Sequence, residues 1–151
     1  MLKIVIGCDE AGFHLKEKVK EYLITLGRVV DDFGVYNTEP VLYPDVAVKV
    51  AQAIAAGTYA RGILICGTGI GMAIAANKVP GVRAAVCHDP FSAERSRKSN
   101  DAQIMAMGAR VIGEELAKTL ITVWLKSEFQ GGGSTAKVER ITEYEKEFLN
   151  V

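Results

Sequence analysis

Residues 62–78 read GILICGTGIGMAIAANK, and this stretch decides the fold. Its first five residues form an apolar run that predicts a buried strand ending at Cys66. Three glycines then follow at alternate positions: Gly67, Gly69 and Gly71. Glycine permits positive φ angles and a close approach of the backbone, so the segment predicts a tight turn from a strand into a helix.

The rest of the chain repeats this alternation of short β-rich runs and longer helical patterns. Strands are predicted at Lys3–Cys8, Val29–Phe33, Gly62–Cys66, Arg83–Cys87 and Gln103–Met107. Helices are predicted at about Ala11–Leu26, Asp45–Ala56, Ile70–Lys78, Pro90–Asn100, Gly113–Phe129 and Ala136–Leu149. Nearly continuous apolar strands that alternate with helices indicate an α/β fold, in which helices cover both faces of a parallel sheet.

Local signals mark several ends of these elements. Pro44–Asp45 and Asp89–Pro90 are typical helix starts, because proline fits the first turn and aspartate can cap it. Gly27 and Gly57 stand where helix C-caps are expected. Residues 131–133 are a run of glycines between the last two helices, and no other segment resembles a linker. Residues 1–151 are therefore predicted to form a single domain.

The composition excludes several classes of protein. Hydrophobic residues make up 49% of the 151 residues and charged residues 24%, which is typical of a globular domain with its own core. Basic and acidic residues number 18 each, so no net charge draws the chain to nucleic acid or to an anionic membrane. No apolar stretch is long enough to span a membrane, and the N-terminus does not resemble a secretory signal. We expect a cytoplasmic protein whose partner is a small molecule.

Polar or reactive residues follow three of the predicted strands. They are Cys8-Asp9-Glu10, Cys66-Gly67-Thr68 and Cys87-His88-Asp89. In an open α/β sheet, ligands bind outside the carboxyl ends of the strands. We therefore expect these three segments to share one edge of the sheet, and the functional site to lie there.

The glycine turn after Cys66 has a specific chemical potential. Its free amides, together with the start of the following helix, attract an anion or a developing oxyanion. The positive electrostatic potential of these amides and of the helix start also favours the thiolate form of Cys66. A thiolate beside an oxyanion site can remove the proton next to a carbonyl group, and the resulting enediolate connects an aldose with a ketose. No metal and no organic cofactor is needed.

Two alternative interpretations of the turn are weaker. A buried cysteine at a strand end often serves packing alone, but packing does not require three glycines in five residues. Dinucleotide binding is the second alternative. The G-x-G-x-x-G pattern fails in both registers, because its third glycine falls on Met72 or on Ile74, which are too bulky for the close contact with a helix.

The remaining candidate residues have simpler interpretations. Cys8 and Cys87 are expected in the core, His14 on the surface, and Trp124 in the core or an interface. His88 stands at a strand end on the functional edge and could face the site. The cluster of Arg95, Arg97 and Lys98 is interpreted as a solvated helix face. The three cysteines have no CxxC spacing, which argues against a disulfide framework and a zinc site.

Five segments in order along the chain carry a family resemblance. They are GCDEAGFHLK (7–16), YPD (43–45), GILICGTGIGMAIAANKVPGVRAAVC (62–87), SRKSND (96–101) and GARVIGEELA (108–117). The chain resembles the ribose-5-phosphate isomerase B family, which also includes the LacA and LacB subunits of galactose-6-phosphate isomerase. The resemblance implies a Rossmann-like three-layer αβα fold with a five-stranded parallel sheet. It also implies a homodimer or a dimer of dimers, with active sites at the dimer interface.

The same resemblance implies roles for individual residues. Cys66 would be the catalytic base, with Thr68 at the reacting oxygens. The backbone amides that would hold the enediolate are those of Gly67, Gly69, Ile70 and Gly71. Asp9 and Asn100 would bind substrate hydroxyls, and Tyr43 would line the pocket.

Four positions depart from the family pattern. Glu10 and Ser99 stand where the family has histidines, and the second of these histidines opens the sugar ring. Gly133 and Lys137 stand where the family has two phosphate-binding arginines, so Arg110 is the one usual phosphate-binding side chain that is kept. These changes make the site about two to three charges more negative, and lysine does not replace the bidentate arginine. We therefore expect an isomerase whose preference has moved away from ribose 5-phosphate.

Loss of the ring-opening histidine allows two hypotheses. Either His88 takes over this role, or the substrate is too short to form a ring, as a tetrose or its phosphate would be. A rival for the function as a whole is a non-catalytic subunit of a hetero-oligomer, or a sugar-binding regulator. Retention of Cys66, Thr68, Asp9 and the complete glycine turn favours the enzyme.

Overall fold

The chain folds as alternating strands and helices in the computed structural model, which describes residues 3–150. The strands are β1 (Lys3–Cys8), β2 (Val29–Asp32), β3 (Arg61–Cys66), β4 (Ala84–Val86) and β5 (Ile104–Gly108). The helices are α1 (Phe13–Thr25), α2 (Tyr43–Ala55), α3 (Ile70–Ala76), α4 (Pro90–Lys98), α5 (Glu114–Leu125) and α6 (Gly133–Leu149). A 3₁₀ turn, Glu10–Gly12, precedes α1. Over residues 3–150, none of the helices combines the length and the apolarity needed to cross a bilayer.

The five strands form one parallel sheet in the order β2-β1-β3-β5-β4. Strand β3 lies at the centre, with Ile65 paired to Cys8 on β1 and Cys66 paired to Gly108 on β5. The chain runs outward on one side of β1 and on the other side of β3, so the order reverses between these two strands. This is the position at which open α/β sheets bind ligands. The predicted three-layer αβα fold with a five-stranded parallel sheet is confirmed.

The core consists of two apolar clusters, one on each face of the sheet. Ile63 and Ile65 of β3 face the layer that contains α1 and α5, and Trp124 is fully buried there. Leu64 and Cys66 face the opposite layer, which contains α2 and α3. Because side chains alternate along a strand, Cys66 points toward the α3 side of the sheet.

The other two cysteines belong to the first cluster, as predicted. Cys8 and Cys87 are both buried among its apolar side chains. Burial raises the pKa of the Cys8 thiol to about 11, although nearby Lys16 acts in the opposite direction. Burial also raises the pKa of Cys87. Both thiols are therefore held in their neutral form inside the protein.

Most helix ends follow their sequence signals. Gly27 and Gly57 adopt positive φ angles of 73° and 77° directly after the C-caps of α1 and α2. Asp89 caps α4 by accepting a hydrogen bond from the Ser92 amide at 2.7 Å. The prediction that Asp45 caps α2 is wrong, because α2 begins earlier, at Tyr43, and no side chain caps it.

Helix α5 ends at Leu125, earlier than the predicted Phe129. The reason is Arg61, which is buried at the start of β3 and donates to the carbonyl oxygens of Trp124 and Ser127, both at 2.6 Å. Because these carbonyls accept from the guanidinium, they need no further helical amides as donors, and the helix ends there. Arg61 thus ties the end of α5 to the strand that carries Cys66 at its other end.

The predicted solvated face on α4 is wrong for Arg97. Its side chain is buried, and Nη1 donates to the carbonyl of Ala102 at 2.9 Å and to the carboxylate of Asp101 at 3.2 Å. Arg95 is half-buried and donates to Ser99. The basic cluster therefore holds the connection from α4 to β5 in place, because the chain turns there and leaves carbonyls that need donors.

Replacement of Arg61 by leucine should lower the free energy of unfolding by about 2–4 kcal/mol, because two buried carbonyls lose their donor. Urea unfolding measures the difference. Lys18→Met is the matched control, since Lys18 is exposed and its ion pair with Glu21 should contribute about 0–1 kcal/mol. An Arg61→Leu protein as stable as wild type would show that these hydrogen bonds do not hold α5.

Candidate active site

Cys66 ends β3 on the carboxyl edge of the sheet, where its side chain is 6% exposed. Its sulfur accepts a hydrogen bond from the Gly69 amide, with a distance of 3.1 Å from N to Sγ. The hydroxyl oxygen of Thr68 accepts from the Ile70 amide at 3.2 Å, and Thr68 itself is exposed. The turn therefore directs one backbone amide at the sulfur and a second at the neighbouring hydroxyl. We call residues 66–71 the Cys66 loop.

Two glycines let the Cys66 loop lie directly on the end of β5. Gly69 has a φ of +78°, and a Cβ there would stand 2.9 Å from the carbonyl carbon of Met107. A Cβ on Gly108 would stand 2.6 Å from the Cα of Thr68. Real Cβ contacts are longer than this, so neither position accepts a side chain without a backbone shift. Gly108 was not among the predicted site residues, although its place at the end of a strand was a usable signal.

Backbone hydrogen bonds fasten this contact. The Ala109 amide donates to the Cys66 carbonyl at 2.8 Å, and the Arg110 amide donates to the Gly67 carbonyl at 3.0 Å. The Arg110 guanidinium lies against Gly67, where an added Cβ would be 3.2 Å from Nη1. A positive charge is thus placed beside the Cys66 loop.

Asp9 lies next to the Cys66 loop, after β1. Its amide donates to the Ile65 carbonyl at 3.2 Å, and its Oδ1 accepts from the Gly12 amide at 3.1 Å. The carboxyl group is 8% exposed. Burial raises its pKa, and the negative charge of Glu10 adds to this effect, whereas the Gly12 amide and the Arg110 guanidinium partly oppose it.

Glu10 and Tyr43 bring the connection after β2 to the site. Glu10 accepts a hydrogen bond from the Val41 amide through Oε2 at 3.2 Å. Tyr43 begins α2 and packs against Gly71, where an added Cβ would overlap its ring. Val41 was not predicted from the sequence, because a backbone donor in an irregular segment leaves no pattern. Glu10 therefore has a role in positioning this segment as well as a place in the candidate pocket.

His88 follows β4 on the same edge, as predicted. Its Nε2 accepts a hydrogen bond from the Gly108 amide at 2.9 Å. His14 is exposed, and its ring stacks edge-on against Phe13. Of the two histidines, His88 alone contacts the residues that support the Cys66 loop.

Three predicted site residues lie at the opposite, amino edge. Helix α4 runs back from the end of β4 toward the start of β5, so Ser99 and Asn100, which follow it, are far from Cys66 along the sheet. Ser99 accepts from Arg95 Nε at 2.8 Å, and the Asn100 carbonyl accepts from Arg83. Lys137 is exposed near the start of α6. The preceding Gln130 bonds to the Lys98 carbonyl, which places this segment at the same amino edge.

The structure therefore brings together some of the predicted residues and separates others. The carboxyl edge holds Asp9, Glu10, Tyr43, the Cys66 loop, His88 and Arg110. The amino edge holds Ser99, Asn100, Gly133 and Lys137. Within residues 3–150, no three His, Cys, Asp or Glu side chains are grouped as metal ligands would be.

Asp9→Asn should unfold with a free energy up to about 1 kcal/mol higher than wild type at pH 7, because the amide keeps the acceptor for Gly12 and removes a buried charge. The folded-state pKa of Asp9 is raised above 3.8, so the folded protein takes up its proton first as the pH falls. The advantage of the variant should therefore shrink as the pH approaches 4. Urea unfolding at both pH values tests this, with exposed Glu147→Gln as the control. A variant that is less stable at pH 7 would contradict it.

Comparison with known proteins identifies the family. Residues 4–141 match the family model described as Ribose/Galactose Isomerase. The chain is 57% identical over 146 residues to a D-erythrulose-4-phosphate isomerase of Pectobacterium atrosepticum, covering 96% of each protein. It is 54% identical to a ribose-5-P isomerase B of Listeria innocua, covering 96% of this chain and 98% of the relative.

A solved structure agrees with these relatives. The ribose-5-phosphate isomerase B of Clostridium thermocellum superposes with a TM-score of 0.96 at 50% identity, covering 97% of this chain and 99% of the other. Similarity of this extent includes the whole sheet and both helical layers. The chain therefore belongs to the ribose/galactose isomerase family, and it is an aldose–ketose isomerase of the ribose-5-phosphate isomerase B type.

Proposed function

We propose that this protein interconverts the aldose and ketose forms of a four-carbon sugar 4-phosphate, with Cys66 as the base. The observation that carries the proposal is the Cys66 sulfur, buried at the end of β3 and hydrogen-bonded to the Gly69 amide. A thiolate held this way has backbone donors beside it for the negative charge that develops on the substrate.

The reaction is a proton transfer between neighbouring carbons. Cys66 removes the proton next to the carbonyl group, the electron pair moves onto the carbonyl oxygen, and an enediolate forms. The amides of residues 67–71 stabilise this oxyanion, and Thr68 lies at the reacting oxygens. The thiol then returns the proton to the former carbonyl carbon. The proton of the neighbouring hydroxyl passes to the former carbonyl oxygen, and that neighbouring oxygen becomes the new carbonyl. Asp9 and Tyr43 orient the substrate hydroxyls.

The size of the substrate follows from the missing ring-opening group. Ser99 has no imidazole, and Nε2 of His88 already accepts from the Gly108 amide. A four-carbon aldose phosphorylated on O4 has no free hydroxyl that can close a five-membered ring, so it needs no ring-opening acid. The relative at 57% identity carries the name of an enzyme for such a ketose phosphate. A ribose-5-P isomerase B at 54% identity shows that overall similarity does not decide the substrate, so the site residues must.

The distribution of charged side chains around the site supports a phosphate position near Arg110. Glu10 adds negative charge on the side of β1, whereas Arg110 adds positive charge beside Gly67. A dianion is repelled by the first and attracted by the second. We place the phosphate near Arg110, with Lys137 as the second cation.

Lys137 can reach this place only from another chain, since it lies at the amino edge of its own sheet. We therefore propose a homodimer whose sites combine the carboxyl edge of one subunit with Asn100 and Lys137 of its partner. The exposed apolar side chains support this. Helix α6 buries Val138 alone among residues 133–149, while Ile141 and Phe148 are exposed. Apolar surface of this kind is typical of a subunit interface.

The rival function, a non-catalytic subunit, is less well supported. A hetero-oligomer would be required if one chain lacked half of the site. This chain carries both the Cys66 loop and the amino-edge residues, so two identical copies are sufficient.

D-Erythrulose 4-phosphate should be turned over with a kcat/KM at least about tenfold above that of ribose 5-phosphate, a difference of about 1.4 kcal/mol in transition-state binding. Coupled assays with both substrates measure this. Cys66→Ala should lower kcat by about 10²–10⁴-fold. Cys8→Ala is the matched control and should stay active, because Cys8 lies in the opposite core cluster. Equal or better turnover of ribose 5-phosphate would refute the substrate, and an active Cys66→Ala protein would refute the base.

Subunit complementation tests the shared site. Cys66→Ala and Asn100→Ala proteins should each be inactive as homodimers. Co-expressed heterodimers carry one intact site, so an equal mixture should recover about a quarter of wild-type activity. Activity after co-expression is the measurement, with the two proteins mixed without subunit exchange as the control. If each site used residues of one chain only, no activity would return.

A further inference from the structure

We propose that His88 is a positioning residue of this reaction, which fixes the Cys66 loop through the backbone of Gly108. The inference deepens the proposed function, since it rests on the Cys66 loop as the site of proton transfer. His88 takes no part in the proposed proton transfer, and among residues 3–150 its side chain makes one hydrogen bond, with the Gly108 amide.

The hydrogen-bond ladder between β4 and β5 ends before Gly108. Strand β4 stops at Val86, which pairs with Ala106 of β5. The Cys87 amide still donates to the Ala106 carbonyl at 3.0 Å, and the chain then turns away into α4. Gly108, two residues further along β5, loses its backbone neighbour on this side. A buried amide without an acceptor is costly, by roughly 1–3 kcal/mol.

The imidazole of His88 supplies the hydrogen-bond acceptor that β4 no longer provides. His88 Nε2 accepts from the Gly108 amide at 2.9 Å. An imidazole nitrogen that accepts carries no hydrogen, so the ring proton is on Nδ1. The backbone of His88 is itself held on both sides, by the last ladder bond at Cys87 and by the Asp89 cap of α4. The acceptor is therefore fixed in space.

Gly108 transmits this position to the Cys66 loop. Its Cα has no room for a side chain against Thr68, and the next two amides donate to the carbonyls of Cys66 and Gly67. A displaced Gly108 must displace the residues that carry the sulfur and the oxyanion donors. Misplacement of reacting groups by about 1 Å can cost about 10²-fold in rate.

Three substitutions separate positioning from chemistry. His88→Leu removes the acceptor, and kcat should fall by about 10- to 100-fold with KM changed less than about threefold. His88→Gln can place its Oε1 near the position of Nε2, and it should stay within about threefold of wild type. His88→Asn is too short to reach Gly108 and should resemble His88→Leu. Steady-state kinetics on D-erythrulose 4-phosphate gives all three results.

Other outcomes overturn the proposal. Wild-type kcat in His88→Leu would show that the hydrogen bond does not position the loop. A raised KM with unchanged kcat would indicate direct contact with the substrate. Equal loss in His88→Gln and His88→Leu would indicate that the imidazole itself transfers a proton.

A measurement on the wild-type protein decides the case if His88→Leu does not fold. Long-range ¹⁵N–¹H NMR correlations report which ring nitrogen of His88 carries the proton. The proposal requires the proton on Nδ1, and a proton on Nε2 would overturn it. Cys66→Ala, assayed in parallel, keeps the two proposals apart, because an active Cys66→Ala protein would refute the base without changing the His88 tautomer.

Discussion

The site depends on one close contact, between the backbone at the end of β5 and the backbone of the Cys66 loop. Gly69 and Gly108 lie on the two sides of this contact, and neither has space for a Cβ. Two hydrogen bonds, from Ala109 and Arg110 to the carbonyls of Cys66 and Gly67, hold the segments together. The amide of Gly69 is consequently directed at the sulfur, and it cannot turn away without opening the contact.

Two buried basic side chains, Arg61 and Lys16, hold the elements around this contact in addition to the apolar core. Arg61 begins β3 and binds the end of α5, so the central strand is fastened at the end away from Cys66. Lys16 is fully buried on α1 and donates to Asp32 at 2.9 Å and to the Val35 carbonyl. The latter bonds hold the connection after β2, from which Val41 and Tyr43 reach the site. Breaking one partner of such buried pairs is costly, so these segments are well defined in position.

Sequence reasoning predicted the fold well because each element carries its own signal. The five apolar runs, the positive-φ glycines after α1 and α2, and the Asp89 cap are all local properties. The two errors have different physical origins. Helix α5 was extended by four residues because carbonyls at its end accept from Arg61, which is distant in sequence and leaves no periodic pattern. Arg97 was assigned to solvent although its partners, Asp101 and the Ala102 carbonyl, are close in sequence, because such a pair is equally typical of an exposed helix face.

The same limit applies to the site. The glycines of the Cys66 loop could be predicted, since a turn with positive φ requires them locally. Val41 could not, because its role comes from a contact with Glu10, which is distant in sequence. Gly108 follows a predicted strand, which was a usable signal, but its contacts with Thr68 and His88 are long-range. His88 is intermediate. Its place on the functional edge could be predicted, because it follows a strand. Its partner could not, because the Gly108 amide needs a side-chain acceptor only where β4 ends at Val86, opposite Ala106 of β5.

In the proposed function, the proton transfer and the substrate preference depend on different edges of the sheet. The sulfur, the loop amides and Asp9 occupy the carboxyl edge, and the four positions that depart from the family pattern include three at the amino edge: Ser99, Gly133 and Lys137. Within residues 3–150, no hydrogen bond joins Ser99, Gly133 or Lys137 to the backbone that holds the sulfur. They can therefore change without disturbing the contact between Gly108 and the Cys66 loop.

Only Glu10 among the departures lies on the carboxyl edge. Its hydrogen bond to the Val41 amide links the charge of the candidate pocket to the segment that carries Tyr43. In the proposed dimer, one proton-transfer site would serve sugars of different length, because side chains of the partner subunit would select the length.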